Sequence, residues 1–233
     1  MHIPDGFLDP KMSTGLIGAA VAFLGLCLAK VRSMVTELVP QEAYATIGAQ
    51  MNNLKKQTRR VLTKAGEQKI LQMGLVAGFV FAAQMFNFPI EAGTSGHLIG
   101  GVLAAVLLGP FAGAIVIGAV LIVQSLFFAD GGFLALGANI INMALIGSFL
   151  SYYIYVFLKT KLPNKVSLGI AAWASVMLAA FACSFEIGLS GTINLQDVTW
   201  AMLKVHAMIG IIEAFVTIMV VTYLKNIILG EQK

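Results

Sequence analysis

Apolar residues run in long blocks along nearly the whole chain, broken by short polar or glycine-rich stretches. A bilayer core about 30 Å thick takes roughly 20 apolar residues as a helix. On that template the blocks predict seven spans, near residues 13–30, 69–86, 97–109, 110–129, 139–158, 167–190 and 199–225. The third block is too short to cross comfortably. It carries Gly96, Gly100, Gly101 and Gly109, and Pro110 marks its end. Broken helices are tolerated where protein or a cavity surrounds them, so this segment is expected inside the bundle. Gly15, Gly18, Gly25, Gly113 and Gly118 are expected where helices pack closely. The predicted fold class is all-α: one polytopic membrane helix bundle over residues 1–233, with about seven transmembrane helices and no internal repeat.

Composition sharpens this picture. Of the 233 residues 58% are hydrophobic and 11% charged, against about 25% charged in a soluble domain. That deficit excludes a water-soluble globule, a disordered chain and a nucleic-acid module. Two cysteines, Cys27 and Cys183, cannot build a disulfide framework or a Cys-rich metal site.

Lys and Arg mark cytoplasmic loops. All of them except Lys11 and Lys204 fall in three places: residues 30–69, the loop around Lys159, Lys161 and Lys165, and the C-terminal tail. With seven spans these share one side. The loops 87–96, 130–138 and 191–198 carry Glu91, Asp130 and Asp197 and no basic residue. The N-terminus is therefore expected outside and the C-terminus in the cytoplasm. Residues 31–68 form a basic cytoplasmic arm. Its stretch from about Pro40 to Thr63 reads as an amphipathic helix, attracted to anionic lipid heads or docking a partner. The start lacks the basic region of a secretion signal. Leu24-Gly25-Leu26-Cys27 only loosely matches a lipoprotein cleavage site, because a leucine stands where a small residue is needed. Met1 is expected to be retained, since the bulky His2 disfavours its removal.

The candidate chemistry is sparse. The histidines are His2, His97 and His206. A lone histidine at a helix entrance, like His97 after the Glu91-Ala92-Gly93-Thr94-Ser95-Gly96 turn, is more often a packing residue than a ligand. Met1-His2 changes that weight. A free amine, the His2 amide and its imidazole can close five- and six-membered chelate rings around one ion. A nitrogen from His97 would complete a square, the geometry of Ni(II) or Cu(II). Termini usually fray, but Ile3-Pro4-Asp5-Gly6-Phe7-Leu8 is apolar with turn residues. Residues 1–12 are therefore expected to fold into the bundle mouth as a metal-binding loop.

Met1 to Leu8 resembles the opening of the CbiM/NikM family, the substrate-capture membrane subunits of energy-coupling-factor (ECF) type ABC transporters for cobalt and nickel. Further matches follow in order: Phe81 to Pro89, Gly93 to Gly101, Gln124 with Asp130-Gly131-Gly132, Leu136 to Asn139, Asn142-Met143, and His206 to Ala214. The resemblance covers nearly the whole chain, and the ordered set is specific where each piece is weak. It implies a seven-helix bundle, an N-terminal loop inserted from outside, and a metal held by Met1, His2 and His97. It also implies a coupling transmembrane (T) subunit, ATP-binding (A) subunits and a small two-span auxiliary membrane subunit as partners, in a prokaryotic cell (inner) membrane. No catalytic cofactor is expected; Ni(II) or Co(II) is the transported substrate. The arm 31–68 is longer than the family pattern, and Glu91 stands where a small residue or proline is expected.

Asp5, Ser95, Asp130, Asn139 and Asn142 are candidates to support the ligands and fix their tautomers. Equally, Asp130-Gly131-Gly132 can be a plain turn and Asn139 a helix cap. His206 and Glu213, seven apart on one helical face, are a candidate buried pair. Glu186 lies near an outer helix end, Lys204 can snorkel, and the scattered methionines suit gap filling. No G-x-x-x-x-G-K-[ST] motif occurs, so ATP is not expected to bind through a P-loop, and without H-E-x-x-H a zinc protease is not expected. The resemblance implies a transport subunit energised by separate ATPase subunits, not an enzyme by itself. Two other readings stand beside transport. One is an intramembrane serine protease using Ser95 of Gly93-Thr94-Ser95-Gly96 with His206 as base. The other is a capture subunit for an organic vitamin, which needs a large aromatic pocket and leaves the Met-His start unexplained. A planar nitrogen set and the Ile3-Pro4-Asp5-Gly6 variant tilt the reading to nickel over cobalt.

Overall fold

Seven helices form one bundle in the computed structural model, which describes residues 2–40, 58–90 and 95–230. Helix α1 spans Pro10–Val35. Asp9 caps it, accepting from the amides of Lys11 at 2.9 Å and Met12 at 3.4 Å, with Pro10 where no amide is needed. Helix α2 spans Lys64–Gln84 and starts at Thr63, whose hydroxyl accepts from Gly66 N. Helix α3 is the short Gly101–Leu108, and α4, Pro110–Phe127, follows after Gly109 alone. A single rod, α5, runs from Leu136 to Lys159; its middle, Ile141–Leu150, is π-helical and both ends are α-helical. Helices α6, Asn164–Leu189, and α7, Leu195–Gly230, form the longest hairpin.

Each predicted apolar block contains one helix, with two corrections. Residues 97–100 are not helical but an extended lead-in to α3. The helix expected from Pro40 to Thr63 is not formed at its described ends. Strand β1, Thr36–Pro40, pairs antiparallel with β2, Thr58–Leu62, Thr36 facing Leu62. Thr36 turns to an extended φ of −124°, and Thr-Glu-Leu-Val and Thr-Arg-Arg-Val-Leu are rich in β-branched residues that suit a strand. Residues 41–57, including Lys55 and Lys56, lie outside the described residues.

Among the described residues, five helices are long and apolar enough to cross a bilayer: α1, α4, α5, α6 and α7 through Leu224. Helix α2, with Glu67, Gln68 and Lys69 in its first two turns, and the eight-residue α3 fall outside that set. Large apolar side chains stand bare on the bundle surface, Leu26 at 72%, Phe127 at 75% and Trp200 at 70% exposure. Such patches are a liability in water and fit lipid. Gly15, Gly18 and Gly25 face open space too, whereas Gly113 abuts Ala105 and Gly118 abuts Leu24. Small-residue spacing does not reveal which face meets a neighbour.

Helix α3 is the hub. Gly101, Val102, Leu103, Ala104, Ala105 and Leu108 are all buried, against α4, the π-helical stretch and α6. A helix this short and apolar cannot reach water at both ends, so protein groups must satisfy its termini. That requirement places polar side chains in the middle of the bundle.

Candidate metal centre at the bundle mouth

The N-terminal segment is built into the fold as an inserted strand. His2 bridges Ser95 in antiparallel fashion. Ser95–Gly96 forms strand β4, which pairs with β3, Phe88–Pro89. On the other side Asn139 grips Ile3 at both backbone groups: Ile3 N donates to Oδ1 at 2.9 Å, and Nδ2 donates to Ile3 O at 3.2 Å. Gly132 N also donates to Ile3 O at 2.9 Å. Asp5 accepts from the amides of Leu134 at 2.8 Å and Phe133 at 3.2 Å, and the Thr192 hydroxyl donates to Phe7 O at 2.7 Å. The Ile3 side chain is fully buried. Asn139 is thus a hook for the N-terminal peptide; it lies inside α5, whose cap position is Ala135. The Asp130-Gly131-Gly132 glycines form the seat of that peptide. A Cβ on Gly132 would collide with Pro4 and Asp5, and one on Gly131 would lie 2.9 Å from the His2 ring.

This insertion brings two imidazoles together. The His2 and His97 rings lie 4.4 Å apart at 34°, and His97 Nε2 is 3.1 Å from His2 Nδ1. His97 Nδ1 lies 2.6 Å from Leu98 O. A carbonyl only accepts, so Nδ1 carries the proton and Nε2 of the neutral ring is a bare lone pair. Asp130 Oδ1 sits 2.9 Å from the same His2 Nδ1, and Asn87 donates to Asp130 Oδ2 at 3.1 Å. One proton on His2 Nδ1 therefore lies between a carboxylate and an imidazole lone pair. Replacing that proton by a cation leaves two nitrogen donors converging. Two nitrogens at right angles on an ion with bonds of about 2.0 Å lie about 2.8 Å apart, close to the observed spacing.

Burial depresses the His2 pKa below its ordinary value, and the Asp130 contact only partly offsets this. Burial works against the Asp130 carboxylate, but contacts led by the hydrogen bond from His2, with that from Asn87, outweigh it, so its pKa falls. His2 is a neutral donor near neutral pH, beside an ionised carboxylate. A cavity of about 720 Å³ opens beside His2, lined by His2, Asp5, Asn87, Ser95, Ser125 and Asp130 among others.

Other predicted residues go elsewhere. Met1 and Glu91 lie outside the described residues. Asn142 does not reach the imidazoles; it donates to Glu186 Oε2 at 2.7 Å. His206 and Glu213 are both buried on the inner face of α7 but are not partners. His206 Nδ1 binds Met202 O at 2.7 Å, and its Nε2 has no partner among the described residues. Glu213 instead accepts from two backbone amides, Ile99 N at 3.0 Å on Oε2 and Gly100 N at 2.8 Å on Oε1. Gln84, which the sequence did not single out, donates to Ile99 O at 2.7 Å. The only signals for these contacts were polar residues inside apolar blocks, which do not name a partner.

Comparison with known proteins decides the family. The family described as "Cobalt uptake substrate-specific transmembrane region", CbiM, matches residues 2–228. The chain belongs to the CbiM family. Relatives of this CbiM-family chain include a putative fused nickel transport protein NikMN of Archaeoglobus fulgidus, 36% identical over 96% of this chain and 65% of the relative. A putative metal transport protein of Haloquadratum walsbyi is 34% identical over 96% of this chain and 89% of the relative. The chain thus spans just under two thirds of the fused relative's length. A crystal structure of a truncated transition metal transporter superposes with a TM-score of 0.78 at 32% identity, covering 97% of this chain and 99% of that one. The CbiM-family chain is a multi-pass helical membrane protein.

Proposed function

We propose that the chain is the capture subunit of an ECF-type transporter, taking Ni(II), or alternatively Co(II), at the outer membrane face. The observation that carries this reading is the approach of His97 Nε2 to His2 Nδ1 at 3.1 Å, on a peptide pinned from both sides. The Met1 amine, the His2 amide, His2 Nδ1 and His97 Nε2 would make four nitrogens around one ion. That donor set favours nickel. Asp130 draws cations to the mouth, and its Oδ1, 2.9 Å from His2 Nδ1, can accept the proton that leaves Nδ1, becoming a neutral carboxylic acid. The basic loops on one side support an N-terminus outside and seven spans, α2 and α3 included. A coupling T subunit, A subunits supplying ATP energy and a two-span auxiliary subunit complete the transporter. The names of the fused nickel relatives and the cobalt family support this cargo class. The protease reading loses its footing: His206 holds Met202 O, and its other nitrogen touches no hydroxyl.

The test is competition binding of Ni(II), Co(II), Cu(II) and Zn(II) to detergent-purified protein with its native Met1. Two variants accompany it: one residue added before Met1, and His97→Ala. One tightly bound equivalent of nickel or cobalt, lost in both variants, is the expected result. Undiminished binding by the extended chain would remove the terminal amine from the ligand set and overturn the reading.

A further inference from the structure

Glu213 is a carboxylate in the middle of an apolar bundle, 2% exposed. Among the described residues no lysine or arginine pairs with it. Its two oxygens instead each take one backbone amide, at Ile99 and Gly100. These amides precede the first turn of α3, whose cap, Gly100, has no side chain to offer. A helix N-terminus carries orphan donors and a positive dipole end, both of which favour an anion. This explains how the charge is tolerated, and it also links Glu213 to His97.

The link runs through one peptide unit. The Ile99 N–H and the Leu98 C=O belong to the same planar amide. Glu213 Oε2 holds the N–H side at 3.0 Å. The C=O side faces His97 Nδ1 at 2.6 Å. Fixing that plane fixes where the carbonyl points. The carbonyl in turn fixes the His97 tautomer and ring rotation, leaving Nε2 bare toward His2. A carboxylate on the N–H also polarises the amide and strengthens its oxygen as an acceptor. Metal-bound histidines commonly donate their second nitrogen's proton to a carbonyl or carboxylate, and that partner tunes affinity. Here a carboxylate and a carbonyl act in series across a peptide. Gln84 grips the next amide, at Ile99 O, and does not touch the plane that aims at His97.

We propose that Glu213, on the last helix, is a positioning residue for metal capture, aiming the His97 imidazole through the Leu98–Ile99 peptide. The proposal rests on the metal-capture reading above. The test compares Glu213→Gln, Glu213→Asp and Gln84→Ala with the wild type and His97→Ala, using Ni(II) alone as the probe. Affinity and the ligand-field absorption of the bound ion are read, with helicity and thermal midpoint of the metal-free proteins as fold controls. An amide at 213 keeps one acceptor oxygen and turns an NH₂ group toward a donor. Glu213→Gln should therefore lose about 10–100-fold in nickel affinity and shift the absorption band, still at one ion per chain. Glu213→Asp should fall between, and Gln84→Ala should stay within about threefold of wild type. A Glu213→Gln protein with wild-type affinity and an unshifted band would overturn the proposal while leaving metal capture standing. Equal losses in Glu213→Gln and Gln84→Ala would also overturn it, since a merely structural role predicts that. Failure of the wild type to bind, or full binding by His97→Ala, would instead sink the metal-capture reading and the proposal with it. Should neither Glu213 variant be recovered folded, amide exchange at Ile99 in the wild type decides. Protection that rises on nickel loading supports the link, and fast exchange unchanged by nickel refutes it.

Discussion

Asn139→Ala isolates the energy that seats the N-terminal peptide. The side chain makes two hydrogen bonds to Ile3, and the Ile3 N–H has no other acceptor among the described residues, whereas Ile3 O keeps Gly132 N. Losing a partner so that a buried donor is stranded costs about 1–3 kcal/mol, while loss of an ordinary bond costs about 1 kcal/mol or less. The retained Gly132 bond limits the second term, so the docked peptide should weaken by about 2 kcal/mol in total. At 1.4 kcal/mol per tenfold, that raises the population of the undocked peptide about 30-fold. Hydrogen–deuterium exchange of the N-terminal peptide by mass spectrometry reads this directly, as faster exchange at Ile3 in the metal-free protein. Nickel affinity should fall by at most the same factor, and by less if the wild-type peptide is docked most of the time. Thr192→Val is the matched comparison. It removes an exposed bond to Phe7 O that water can replace, so it should change exchange only about twofold. Ile3 exchange that stays within threefold of wild type in a folded Asn139→Ala protein would refute the hook. Equal acceleration by the two variants would refute the assignment of the energy to Asn139.

Three further outcomes follow from the same geometry. Gly132→Ala drives a methyl into Pro4 and Asp5, so it should abolish nickel binding while leaving the helical content unchanged by circular dichroism. Asp130→Asn removes the carboxylate beside His2; stopped-flow nickel association should slow and lose its dependence on ionic strength, and an unchanged salt dependence would count against a role in attraction. Because folding depresses the His2 pKa, the unfolded chain binds that proton more readily. The contribution of His2 to stability is therefore complete above about pH 6.5 and is lost as pH falls toward the lower folded value. The metal-free midpoint should drop as pH falls below about 6.5, and His2→Gln should flatten that slope.

Much of this was legible in the chain because a bilayer imposes length and apolarity on every crossing segment. The Gly100, Gly109 and Pro110 breaks announced a short helix. What stayed hidden were pairings between distant segments. His206 and Glu213 share a face at a spacing of seven, which suggested a pair; their partners are a carbonyl one turn away and two amides on another element. Asn142 and Asn139 look alike in sequence and sit three residues apart. Asn139 sits in the α-helical start of the rod and Asn142 in its π-helical stretch, and they reach Ile3 and Glu186 respectively. At the described ends of the Pro40–Thr63 stretch the amphipathic pattern suits a helix, but Thr36 to Pro40 and Thr58 to Leu62 satisfy their backbones by pairing with each other.

The π-helical stretch Ile141–Leu150 also sets a phase. Each residue of an α-helix advances the screw by about 100°, and a π turn absorbs an extra residue without breaking the rod. Regularising that stretch to α-helix without changing its length would therefore turn the Asn139 end of the rod relative to its far end. Asn139 would swing away from the N-terminal peptide while Ser151–Lys159 stayed in place. The rod therefore behaves as a shaft cut to a fixed angle. Its irregular middle stores the angular offset that lets one end hold the N-terminal peptide and the other keep its seat in the bundle.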